Sequence, residues 1–199
     1  MKNRILCGLL ILAGLFSSAC IEQVFELEPR ERAQNNTESD SISDDLSSEN
    51  FSVSALLPSA FAFTATDIYG NEVSEEALGE KQAFFIHYWG TWCPPCVNEM
   101  GDLAEVAVNY ADRVGFIGLV DDYESNLQGA VDIIEASGVP DSFLMINANE
   151  PSAAAMLDAV KTGYVPTTVI VTADGRISDA IIGANGKGYA DILDRILGR

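Results

Sequence analysis

The chain has 199 residues, 11 Lys and Arg against 30 Asp and Glu, four cysteines and a single histidine, for a formal net charge of −19. A hydrophobic share of 48% suffices for a packed core, and the length allows one ordinary domain with extensions. The acidic balance excludes a nucleic-acid binder, which needs a basic stripe, while one histidine excludes a His-rich metal site and four cysteines are too few for a small disulfide scaffold.

The N-terminus reads as a targeting segment. Lys2 and Arg4 precede an uncharged apolar run at residues 5–16, of signal-peptide length and short for a membrane-spanning helix. Ser17-Ser18-Ala19 then places small residues at a cleavage site, and Cys20 follows. This resembles the lipobox of bacterial lipoproteins, in which the cysteine after the cut is lipidated and anchors the protein to the membrane. Ser17 stands where that family usually has Leu, and the Ser17-x-Ala19 spacing also fits ordinary secretory cleavage. Either route removes residues 1–19 and exports the rest. Residues 20–52 carry nine acids and two bases in a Ser, Asn, Asp and Glu-rich stretch. Such a composition cannot bury enough apolar surface to offset its ordering entropy, so it reads as an acidic flexible stalk spanning about 30 Å. Residues 53–199, with 21 acids and seven bases, have the size of a single domain.

Within that domain, residues 61–73 read as a β-hairpin around Tyr69-Gly70-Asn71, and Ser74 as the N-cap of a short helix. Residues 83–89 form a continuous apolar run, a buried central strand. A helix opens at Thr91-Trp92-Cys93-Pro94-Pro95-Cys96 and runs to about Tyr110; Cys96, Met100, Leu103, Ala104 and Ala107 share one face. Residues 114–120 are a second buried strand. Residues 125–136 are helical, closed by Gly138 and Pro140. Residues 143–146 form a short strand and 152–160 a helix. Residues 168–172 and 177–182 are strands joined through Asp174-Gly175, and 189–197 form an amphipathic helix. Early strands alternate with helices and late ones form a hairpin, so the expected architecture is α/β, with a mixed central sheet, helices on both faces and an N-terminal β-hairpin.

Cys93 and Cys96 are spaced C-x-x-C, directly after a strand and at a helix start. Unpaired N–H groups and the positive end of the helix dipole stabilise a thiolate there. Pro94 and Pro95 are tolerated only in a helix's first turn, which pins the motif to that terminus. Cys96 falls on the apolar face and is the shielded partner, so Cys93 attacks a substrate disulfide and Cys96 resolves the mixed disulfide. Structural zinc needs four ligands, and no second C-x-x-C exists. Haem attachment needs C-x-x-C-H, but Val97 occupies the fifth place. The pair needs no further cofactor.

Trp92-Cys93-Pro94-Pro95-Cys96, followed by Val165-Pro166-Thr167-Thr168, resembles the thioredoxin superfamily, and more closely the TlpA/ResA-like extracytoplasmic thiol–disulfide oxidoreductases. The resemblance spans residues 61–197. It implies a thioredoxin-like fold with Pro166 as a cis-proline facing the dithiol. Substrate contacts would come from Trp92, Pro94, Pro95, Val165 and Thr167. The resemblance further implies protein thiol or disulfide clients and a membrane electron donor of the CcdA/DsbD type. Glu99 carries over as the acidic residue near the dithiol, to take or give a proton; otherwise it is a solvated residue favoured by the helix dipole. His87 departs from the pattern, standing where these families place Asp or Asn. It reads either as a proton relay to Cys96 near neutral pH or as a satisfied core histidine. Two rivals share parts of the pattern. A peroxiredoxin-like peroxidase needs T-x-x-C, whereas Thr91 lies two residues before Cys93. A metallochaperone of the Sco type needs C-x-x-x-C and a later histidine.

Overall fold

Strands buried on both faces set the architecture of residues 57–199, the part of the chain that the computed structural model describes. The expected signal peptide, Cys20 and the acidic stalk lie outside the described residues.

Strands β1 (Thr64–Thr66) and β2 (Glu72–Ser74) pair antiparallel as the expected hairpin. Asp67 Oδ1 shapes its turn by accepting the Tyr69 and Asn71 backbone N–H groups at 2.9 and 2.8 Å, and Gly70 supplies a φ of 85°. Ser74 Oγ accepts the Glu76 N–H at 3.3 Å, so the capped segment is one 3-10 turn, Glu75–Leu78. Strand β3 (Ala83–Trp89) leads into helix α1 (Pro94–Tyr110), then β4 (Val114–Val120), α2 (Tyr123–Ser137) and β5 (Phe143–Asn147). The helix expected over 152–160 splits: the Ala153 N–H donates to Glu150 O at 2.9 Å in a tight 3-10 turn before α3 (Ala154–Val160) begins. Strands β6 (Thr167–Thr172) and β7 (Ile177–Ile182) and helix α4 (Gly188–Ile196) complete the domain.

The main sheet has the order β5-β4-β3-β6-β7, with β3, β4 and β5 parallel and β6 and β7 antiparallel to their neighbours. Every residue of β3 and β4 is buried, as their uninterrupted apolar runs require of central strands. The period of two divides β3 between two cores. Phe85 and Trp89 pack with α1, α2 and α4 on one face; Phe84, Ile86 and Tyr88 pack with α3 and the hairpin on the other. Phe85 is the hub of the first core, its ring centroid 5.2 Å from Phe116 and 5.0 Å from Tyr189. The parallel strands β3 and β4 therefore end side by side, next to the start of β6, and the chemistry is gathered at that end.

Candidate active site

Four residues, Gly90 to Cys93, turn the chain from β3 into α1. Cys93 is the helix N-cap, with extended φ/ψ of −100° and 100°, and its Sγ accepts the Cys96 N–H at 3.3 Å. Pro94 and Pro95 fill the first helical positions, where a missing N–H is no loss. The two cysteines form a disulfide, with Cα atoms 5.3 Å apart. Cys96 is fully buried and Cys93 is 3% exposed. The expected order of shielding holds, though Cys93 is itself closely covered. Around it the surface is apolar: Trp92 is 59% exposed, and Pro94 and Pro95 are exposed beside it.

The Val165–Pro166 peptide is cis, as expected. Val165 packs against the core cluster that contains both cysteines. Thr167 departs from expectation. Its side chain is fully buried and its hydroxyl donates to Tyr164 O at 2.8 Å, so it shapes its own loop and has no side chain free for a substrate.

Glu99 is not the solvated residue that a helix's first turns usually hold. It is 4% exposed, and its Oε2 accepts the Asn185 and Gly186 backbone N–H groups at 2.9 and 3.2 Å, tying α1 to the loop before α4. Burial pushes the carboxyl above its ordinary range, and the two N–H groups hold it partly back. His87 lies opposite, its Nε2 3.8 Å from Glu99 Oε1. His87 Nδ1 is 2.9 Å from Thr168 Oγ1, which is 3.0 Å from the Tyr189 hydroxyl. The expectation that His87 titrates near neutral pH is corrected here. Complete burial makes an imidazolium costly and lowers its pKa to about 3. The structure thus joins His87 and Glu99, assigned separate roles from the sequence, into one buried polar chain.

A protein-family model described as the AhpC/TSA family matches residues 58–180. The chain belongs to this family. It is 27% identical over 125 residues to the thiol-disulfide oxidoreductase ResA of Bacillus anthracis, a match covering 63% of this chain and 68% of that protein. A thiol:disulfide interchange protein from Chlorobium tepidum TLS, of the thioredoxin family, superimposes with a TM-score of 0.56 at 25% identity, over 73% of this chain and 95% of that one. A secreted Mycobacterium tuberculosis disulfide oxidoreductase homologous to E. coli DsbE has the same fold, with a TM-score of 0.54 at 20% identity, over 70% of this chain and 96% of that one. The protein is a TlpA/ResA-like thiol–disulfide oxidoreductase of thioredoxin-like fold, and its redox centre is the Cys93–Cys96 disulfide.

In this oxidoreductase the motif loop is held by residues that sequence reasoning passed over. Asp122 accepts the Thr91 backbone N–H at 3.0 Å and the Thr91 hydroxyl, and Asn126 Nδ2 donates to Thr91 Oγ1 at 2.7 Å. To reach it, Asn126 leaves helical geometry at φ −147° and ψ 46°. Asp121 accepts from the Tyr88 hydroxyl at 2.5 Å and from Trp92 Nε1 at 3.2 Å, and thereby fixes the exposed indole. That indole lies over Gly90, where a Cβ would sit 2.6 Å from Trp92 Nε1. A signal for the two aspartates was present: they stand at the carboxyl end of a parallel strand beside the motif strand, where open α/β sheets build their sites. Among the described residues no cluster of His, Cys, Asp or Glu could hold a metal, and no helix is long and apolar enough to cross a membrane.

Proposed function

We propose that this oxidoreductase works outside the cytoplasm as a reductant of protein disulfides. Clients would be cytochrome c precursors or other oxidised exported proteins. The observation that carries the exchange chemistry is the position of Cys93 as the N-cap of a 17-residue helix, its sulfur meeting the Cys96 N–H at 3.3 Å, while the reductant direction rests on the TlpA/ResA-like resemblance. When the pair is reduced, that N–H and the helix dipole stabilise a Cys93 thiolate. The thiolate attacks a client disulfide, forms a mixed disulfide and releases one client thiolate, which takes a proton. Cys96 loses its proton and attacks the Cys93 sulfur. This closes the Cys93–Cys96 disulfide and releases the second client thiolate, so two electrons pass to the client. Glu99, one turn along the same buried face, receives the Cys96 proton. Trp92, Pro94, Pro95 and the Val165 backbone beside Pro166 form the contact surface for an extended client segment.

The export signal at residues 1–19 and lipid attachment at Cys20, supported by the sequence pattern, complete the reading, with re-reduction by a membrane donor of the CcdA/DsbD type, which the family resemblance implies. No further cofactor is required. Equilibration with dithiothreitol, followed by thiol alkylation, tests the direction. A potential of about −270 mV or lower fits a reductase, and one near about −120 mV would make the pair an oxidant instead. A Cys96→Ser variant should trap client mixed disulfides on Cys93. Absence of any such adduct, with peroxide consumed in its place, would move the function to a peroxidase.

A further inference from the structure

Two polar atoms face each other in the core without a hydrogen-bond partner: Glu99 Oε1 and His87 Nε2, 3.8 Å apart. An unpaired buried polar atom is costly, and one proton between them would satisfy both once the carboxyl and the ring close from 3.8 Å to hydrogen-bond distance. The remaining atoms of the pair are committed. Glu99 Oε2 takes two backbone N–H groups, and His87 Nδ1 meets Thr168 Oγ1, which in turn meets the Tyr189 hydroxyl. Thr168 lies directly across from His87 in the β3–β6 register, so the contact is built into the sheet.

We propose that His87 is a positioning residue whose two neutral tautomers pair with the two protonation states of Glu99. With Glu99 as the acid, its Oε1–H donates to Nε2, Nδ1–H donates to Thr168 Oγ1, and the Thr168 hydroxyl donates to the Tyr189 oxygen. With Glu99 as the carboxylate, Nε2–H donates to Oε1, Nδ1 accepts from the Thr168 hydroxyl, and Thr168 Oγ1 accepts from the Tyr189 O–H. The ring carries one proton in both states and stays uncharged. Only Glu99 gains or loses a proton, and with the two groups closed to hydrogen-bond distance neither state leaves Oε1 or Nε2 unpaired. Hydroxyls suit this chain because each donates or accepts on demand.

The inference rests on the dithiol cycle proposed above. The proton that Cys96 loses on attacking Cys93 passes to the Glu99 carboxylate, and the acid later yields it to a released client thiolate. The ionisable groups around the pair come from several elements. Helix α1 contributes Cys96 and Asp102, the latter opposing negative charge on Glu99, and α4 contributes Tyr189. From β3, Phe85 stacks at 6.2 Å from the imidazole. The loop before α4 brings only backbone N–H groups to Glu99, its Lys187 being paired with Glu105.

The chain has a single histidine, which makes the test direct. In full-length protein labelled with 15N-histidine, long-range 1H–15N spectra would show which ring nitrogen carries the proton. The unprotonated nitrogen should shift from Nε2 to Nδ1 as pH rises through the Glu99 transition, without an imidazolium signal near neutral pH. Glu99→Gln should abolish the switch. A single tautomer at every pH, or a switch that persists in Glu99→Gln, would overturn the proposal. Insulin reduction measured on the same samples separates the two claims. Turnover with a fixed tautomer overturns only the His87 role. No turnover with a switching tautomer overturns the dithiol reading.

Discussion

Lowering the pH from 7 to 5 is expected to weaken folding of the wild-type chain through His87, by an amount an His87→Asn variant does not lose. Unfolded, the imidazole binds its proton at its ordinary pKa of 6.5; folded, complete burial delays this to about 3. Between those values the unfolded state holds the extra proton, so stability falls as pH falls. Every tenfold difference in proton affinity between the two states is worth about 1.4 kcal/mol, which makes the loss about 2 kcal/mol at pH 5. Below pH 3 it levels off at about 5 kcal/mol. Glu99 acts in the opposite sense. Its folded pKa lies above the ordinary 4.5, so its contribution falls as pH rises through the folded value. Making the comparison in a Glu99→Gln background removes that contribution from both chains. Urea denaturation of the oxidised proteins at pH 7 and pH 5 measures the effect. A difference between the chains without and with His87→Asn that is equal at the two pH values would refute the reasoning.

Other positions give sharper structural tests. In Gly118→Ala the new Cβ would lie 2.1 Å from Met145 Sδ in the middle of the sheet; the methionine must move, and a loss of about 1–3 kcal/mol should appear as a lower Tm. Gly90→Ala should push the Trp92 indole off its seat and off Asp121, altering tryptophan emission while the fold persists; unchanged emission would mean the indole is not held there. Asp122→Ala removes the acceptor for the Thr91 N–H and hydroxyl, leaving Oγ1 only the Asn126 donor, and should cost about 1–3 kcal/mol, together with slower disulfide exchange, measured by denaturation and insulin reduction. Leu103→Ala, in a fully buried position of α1, should cost about 2–5 kcal/mol by the same denaturation assay.

What the sequence determined by itself was the course of the central strands and the place of the dithiol. Apolar runs located the central strands β3 and β4 to the residue, and the Asp174-Gly175 turn and Gly183 bracketed the exposed edge strand β7, because buried strands read as apolar runs and a turn needs residues that tolerate its backbone. The C-x-P-C spacing placed the dithiol at a helix start, because proline fits only the first turn. Tertiary structure decided what depends on distant partners. Glu99 is a charged residue that its type alone would leave in solvent, yet the backbone of Asn185 and Gly186, 86 and 87 residues away, holds its carboxyl inside. His87 has a pKa suited to neutral pH in isolation, and only the packing of β3 beneath α1 and α4 removes the water that would stabilise its charge. Asp121 and Asp122 look like solvated loop residues until β4 pairs with β3 and brings them to Trp92 and Thr91. Local spacing therefore specifies which atoms carry the electrons, while the burial and long-range hydrogen bonds that govern their protons arise only when the sheet and helices close around them.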